Sequence, residues 1–204
     1  LCVKALNAMP NQTVLDICSA PGSKAFTIAQ YMQNEGEIYA FDLYEHKLKL
    51  INDSAKRLSI SIIKTALQDG AIKNDSIKMA DRVLCDVPCS GLGIIRRKPE
   101  IKYKNLEDFK DLPQIQYSIL QNAASYVKSG GYLIYSTCTT NKMENEEVVN
   151  KFLSQNNSFK PLQLSLNISK IENNKDNMIT LLPHKNECDG FFIAAFEKSG
   201  DTVG

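Results

Sequence analysis

The sequence predicts an α/β fold, a mainly parallel sheet with helices on both faces. Three observations predict it. Short apolar runs alternate with segments of helical periodicity. A glycine-containing turn, Asp16-Ile17-Cys18-Ser19-Ala20-Pro21-Gly22-Ser23-Lys24, joins the first run to the first helix. Asp16/Cys18, Asp42, Asp86 and Cys138 stand at the carboxyl ends of predicted strands. In a parallel sheet these ends share one edge, where ligands bind.

The elements follow in order. Residues 14–18 are a short apolar strand, and 22–33 a helix. Residues 37–42 form a second strand. Residues 45–58 place Leu48, Ile51, Ala55 and Leu58 on one helical face. The β-branched stretch 59–65 reads as a third strand and 82–86 as a fourth. Residues 112–127 are helical, with Ile115, Ile119 and Ala123 on one face, and Gly130-Gly131 ends that helix before a strand at 132–136. A helix at 145–153 and a last strand at 190–196 complete the pattern. The polar, Asn-rich stretch 165–177 reads as a surface loop or insertion.

A length of 204 residues suits one domain, with hydrophobic residues at 43% and charged residues at 23%, an ordinary globular composition. No apolar run approaches the ~18 residues of a membrane span. The opening Leu1-Cys2-Val3-Lys4 has neither Met nor a signal-peptide pattern, so the chain reads as cut from something longer, with an N-terminal region missing. The six cysteines form no C-x-x-C and the two histidines are far apart, so no metal site is expected. Cys2, Cys85 and Cys188 are expected to be small buried hydrophobes, in a reducing, cytoplasmic setting. Net charge is +1, but residues 96–104 (Arg96-Arg97-Lys98-Pro99-Glu100-Ile101-Lys102-Tyr103-Lys104) carry five bases against one acid directly after the turn 86–91. Arg96, Arg97 and Lys98 are the candidate RNA contacts.

The first turn lacks G-x-G-x-x-G, which disfavours a dinucleotide dehydrogenase. Its small residues, Ser19, Ala20, Gly22 and Ser23, let a ligand approach the backbone, and the helix start offers N–H groups to a carboxylate such as the methionine end of S-adenosylmethionine. Asp42 at the second strand end suits ribose hydroxyls, and Asp69 of an Asp-Gly turn can face the adenine. Cys89 lies in Asp86-Val87-Pro88-Cys89-Ser90-Gly91 and Cys138 in Tyr135-Ser136-Thr137-Cys138-Thr139. Methylation at cytosine carbon 5 needs a thiolate to add to carbon 6, a route for elimination, and an acid or hydrogen bonder at N3/N4. Asp86, Cys89 and Cys138 match that list.

From residue 14 to residue 196 these motifs resemble the Sun/RsmB family of RNA 5-cytosine methyltransferases. The family's D-x-C-A-A-P-G-G-K turn stands here at Asp16–Lys24 with Ser19 for Ala and Ser23 for Gly. Its D-x-P-C-S-G turn is intact at Asp86–Gly91, its T-C pair at Thr137-Cys138, and the ending Asp189-Gly190-Phe191-Phe192 also matches. The continuation from Gly93 to Lys102 looks like the branch that modifies small-subunit ribosomal RNA. The resemblance implies a Rossmann-like class I methyltransferase fold with seven strands, the last antiparallel, over residues 1–204. It implies S-adenosylmethionine held by Cys18, Ser19, Ala20, Pro21, Gly22, Ser23, Lys24, Asp42, Asp69 and Asp86. It makes Cys138 the nucleophile and Cys89 the aid to product release. The expected partner is ribosomal RNA, with 16S RNA foremost, and the chain is expected to be a monomer. A tRNA cytosine substrate and a non-enzymatic RNA-binding assembly factor are the alternatives.

Overall fold

Along the first strand, β1 (Thr13–Asp16), successive side chains enter different cores. Val14 belongs to the core that holds Ala25, Ile28, Ile38 and Ile51, while Leu15 belongs to the core that holds Val83, Ile119 and Tyr135. A strand buried on both faces is the mark of a central parallel sheet. The computed structural model describes residues 1–164 and 177–200, so the predicted loop at 165–177 falls almost wholly outside the described residues.

The sheet continues through β2 (Glu37–Asp42), β3 (Ile63–Leu67), β4 (Ala80–Asp86), β5 (Val127–Thr137), β6 (Phe159–Pro161), β7 (Met178–Leu181) and β8 (Phe191–Lys198). Its order is β3-β2-β1-β4-β5-β8-β6, with β7 also paired to β8. The pairs among β1 to β5 are parallel, and β8 runs antiparallel to β5, as expected for the last strand. The sheet has eight strands rather than seven. The far edge of β8 is shared by two short strands, β6 opposite residues 196–198 and β7 opposite residues 191–194.

Helices α1 (Cys2–Leu6), α2 (Ser23–Tyr31) and α3 (Glu45–Arg57) bury residues in the first core. Helices α4 (Leu112–Ala124) and α5 (Glu146–Gln155) do so in the second. A short α6 (Pro183–Asn186) precedes β8. The largest boundary differences from the sequence reading are at the starts of β3 and β5 and at the end of α4. Residues 59–62 are not strand: Ser59 takes φ +55° and Ile60 N–H bonds the Ala55 carbonyl, so the end of α3 uses those residues and leaves Leu58 exposed. Helix α4 stops at Ala124 because Val127 already pairs with Ala80. Gly130-Gly131 therefore lies within β5, where a register shift follows that pair and Gly130 takes φ +73°. Ile115 does not share the buried face of α4 with Ile119 and Ala123; it is half exposed and lines a cavity described below.

Candidate active site

Parallel pairing brings the carboxyl ends of β1, β2, β4 and β5 to one edge. After β1 the chain turns so that Ser19 N–H bonds the Phe41 carbonyl at 2.8 Å and Gly22 N–H bonds the Ser19 carbonyl at 2.7 Å. Gly22 sits at φ +98°, and a Cβ there would lie 2.7 Å from the Phe26 ring, so glycine is required on both counts. Asp42 ties the second strand to this turn. Its Oδ2 accepts from Ala20 N–H at 3.2 Å, its Oδ1 accepts from Tyr44 N–H at 3.2 Å, and Lys47 lies 3.6 Å away.

A cavity of 490 Å³ opens between Cys18, Asp42, Asp69, Pro88, Ile115 and Ile119. Apolar walls with a few acidic groups suit a nucleoside. Asp69 acts both ways: it caps its own turn through Ala71 N–H at 2.9 Å and it lines this cavity. Asp16 is fully buried, with the Ser19 side chain as its polar neighbour. Burial is the main cause that pushes the Asp16 carboxyl up to about 7; the Ser19 hydrogen bond and the Lys24 charge oppose it, while the charges of Asp86 and Asp42 add to it. The ribose hydroxyls and amino groups of S-adenosylmethionine are donors and the lining carboxylates Asp42 and Asp69 are acceptors, so the residues present fit that cofactor.

Ser23 and Lys24 turn the other way. They line a second cavity, of 640 Å³, with Lys4, Arg97 and Asp189. Lys24 pairs with Asp86, whose Oδ1 also accepts from the Ser136 hydroxyl at 2.7 Å. Burial works against the Lys24 ammonium, but the charge and hydrogen bond of Asp86 outweigh it and the net shift is upward. Lys24 thus sits with the reactive groups rather than in the nucleoside cavity. Nothing in the sequence marked Ser136 as the partner of Asp86, since that contact depends on the β4–β5 register.

The two cysteines meet. Cys89 Sγ and Cys138 Sγ are 3.1 Å apart, and Cys138 N–H reaches Cys89 Sγ at 3.3 Å. The shared S–H···S bond separates their acidities. It is the main force raising the Cys89 thiol, with burial adding to it, and the main force lowering Cys138 against burial. Either sulfur can be the donor in this contact, which couples the two thiols. Burial raises Cys2, Cys18 and Cys85. Cys2 and Cys85 are buried as expected, but Cys188 is only half buried. Gly93 N–H bonds the Cys138 carbonyl at 3.0 Å, and Gly190 N–H bonds the Gly93 carbonyl at 2.8 Å. A Cβ on Gly190 would stand 2.7 Å from Gly93 Cα, and one on Gly93 2.1 Å from the Gly190 carbonyl oxygen, which gives the Asp189-Gly190 motif its packing reason.

The basic run is partly neutralised. Arg97 Nε lies 2.6 Å from Asp189 and Arg96 Nη2 lies 3.8 Å from it. Lys98, Lys102 and Lys104 are exposed, as is Tyr103 between them.

A parallel sheet with an antiparallel last strand, a nucleoside cavity at its carboxyl edge and a paired-thiol site beside it define a class I methyltransferase fold. The chain belongs to the 16S rRNA methyltransferase RsmB/F family, whose model matches residues 3–197. The Bacillus subtilis "Probable ribosomal RNA small subunit methyltransferase B" is 42% identical over 98% of this chain and 46% of that protein. A tRNA (cytosine(49)-C(5))-methyltransferase of Pyrococcus abyssi is 34% identical over 95% of this chain and 66% of that protein. The crystal structure of NSun6 from Pyrococcus horikoshii with SFG, an S-adenosylmethionine analogue, superposes with a TM-score of 0.87 at 29% identity, over 98% of this chain and 51% of that one. The chain spans about half the length of the first of these curated relatives. The expected family and fold class are thereby borne out. Among the described residues no helix is long and apolar enough to cross a membrane.

Proposed function

We propose that this chain is the catalytic part of an enzyme that methylates carbon 5 of a cytosine in ribosomal RNA, with small-subunit 16S RNA the leading substrate and the cytoplasm its setting. The observation that carries the reading is the thiol pair: Cys89 and Cys138, 3.1 Å apart, shifted in opposite directions, beside an Asp86 held by Lys24 and Ser136.

Each residue has a step. The Cys138 thiolate adds to cytosine carbon 6 and the displaced electron pair delocalises over the ring onto carbon 5, while Asp86, paired with Lys24, is the hydrogen-bonding group at N3/N4 that accepts from the base and orients it. Carbon 5 becomes nucleophilic. Bound S-adenosylmethionine supplies an electrophilic methyl group on a sulfonium. Once Cys138 is a thioether it no longer takes the hydrogen bond of the Cys89 thiol as a thiolate does, so the largest cause that pushes Cys89 up is gone. Cys89 can then release its proton to solvent and accept the carbon 5 proton. The electron pair from that C–H bond restores the 5,6 double bond, and the pair of the C6–S bond leaves with Cys138. The target base must leave any stack to reach this edge. Cys18, Asp42 and Asp69 would hold the nucleoside part of the cofactor.

The relative named for tRNA cytosine 49 supports a second reading, a tRNA substrate. Bisulfite sequencing of total RNA from a deletion strain separates the readings. Loss of protection at a 16S cytosine supports the first and loss in tRNA alone the second. Full retention at every protected site contradicts both and favours an assembly factor.

A further inference from the structure

The buried polar cluster behind the cysteines is not used by any step above. Its centre is Glu144, which is fully buried and has no cationic partner among the described residues. Four donors converge on its two carboxyl oxygens. Oε2 accepts from Ser90 N–H at 2.9 Å and from Gln116 Nε2 at 2.9 Å. Oε1 accepts from the Ser90 hydroxyl at 2.6 Å and from Asn141 Nδ2 at 3.0 Å. A buried acid without a counter-charge is expensive and needs every bond it makes.

Those bonds all lead to the two cysteine loops. Ser90 follows Cys89, and its hydroxyl also meets the Thr139 hydroxyl at 2.8 Å, next to Cys138. Gln116 also donates to the carbonyl of Pro88, just before Cys89, at 2.9 Å. Asn141 lies in the loop after Cys138. The loops leave different strands, and this cluster ties one to the other alongside the sheet register and the bonds of Gly93 N–H to the Cys138 carbonyl and of Cys138 N–H to Cys89 Sγ. Tyr135 OH, within β5, bonds the Glu144 carbonyl at 2.6 Å and anchors the cluster to the sheet.

We infer that Glu144 is a positioning residue that clamps the Cys89 and Cys138 loops together and thereby sets the sulfur–sulfur contact on which nucleophile activation depends. The inference rests on the proposed roles of the two thiols. Hydrogen bonds weaken steeply with misalignment, so a small slip of one loop loses the S–H···S bond.

The substitution Glu144→Gln tests it. The amide is nearly isosteric but accepts at one atom where the carboxyl accepts at two. The expected result is a kcat lower by roughly tenfold to a hundredfold, the cost of a small misplacement of reacting groups. KM for S-adenosylmethionine and calorimetric affinity for S-adenosylhomocysteine should stay unchanged. The pH midpoint for alkylation of Cys138 by iodoacetamide, followed by mass spectrometry without RNA, should move upward. A merely structural role lowers the melting temperature but leaves kcat per folded molecule and the alkylation midpoint at wild-type values, and that result overturns the inference. If Glu144→Gln does not fold, Gln116→Leu decides, because it removes one Glu144 bond and the Pro88 bond at a site where Gln116 Oε1 has no partner to lose. Its alkylation midpoint should move the same way by less, and a wild-type midpoint overturns the inference. A wild-type protein whose Cys138 is no more reactive than its other cysteines contradicts the thiol roles themselves, which is a separate failure.

Discussion

Asp16 is held protonated by burial up to about pH 7, against 3.8 for an ordinary aspartate. A carboxyl raised in the folded state binds protons that the unfolded chain has already released. Its stability contribution is therefore complete below about pH 4 and is lost as pH rises through about 7. The full rise corresponds to at most about 4 kcal/mol. Urea denaturation of Asp16→Asn should show a flatter pH dependence between these limits, with the variant gaining on the wild type at pH 8. Equal slopes would mean that Asp16 is not the titrating group. The same carboxyl is not legible as special in the sequence, because an aspartate at a strand end reads the same whether solvated or sealed.

At the scale of elements, α5 is fixed to the antiparallel edge by an aromatic cluster. Phe152 is fully buried and its ring lies 5.4 Å from Phe159 on β6 and 5.0 Å from Phe196 on β8. Phe152→Ala should cost about 3–5 kcal/mol, read as a lower urea midpoint at constant m-value. A loss below about 1 kcal/mol would mean that the edge packs without it. Here the sequence was least legible. β6 and β7 are three and four residues long, too short to show alternation, and α1 has five residues. Long buried strands such as β2 were legible because both faces are apolar, and its predicted limits match the observed ones. The basic segment after Gly91 was legible as charge but not as pairing. Because Asp189 already binds Arg97 and Arg96, replacing both by Ala should lower the slope of log K for RNA against log salt by about one rather than two. Lys98→Ala, with no acidic partner among the described residues, should lower it by about one on its own. Unchanged slopes in both would place the RNA path elsewhere.

For the whole molecule, the candidate site was legible where fold logic alone places it. A parallel sheet gathers strand ends, so Asp16, Asp42, Asp86 and the cysteines were grouped before any contact was known. What the sequence withheld are contacts between segments far apart in the chain. The 3.1 Å approach of Cys89 to Cys138, the turn of Lys24 toward Asp86, and the bonds of Glu144 to Ser90 and Gln116 all depend on strand register. In the proposed mechanism these thiols act in sequence, Cys138 as nucleophile and Cys89 in release. The most direct test is a denaturing gel of the protein mixed with its RNA and S-adenosylmethionine. Cys89→Ala should trap a covalent protein–RNA species, and Cys138→Ser should give neither that species nor methylation. A trapped species with Cys138→Ser and none with Cys89→Ala would reverse the two roles and contradict the account.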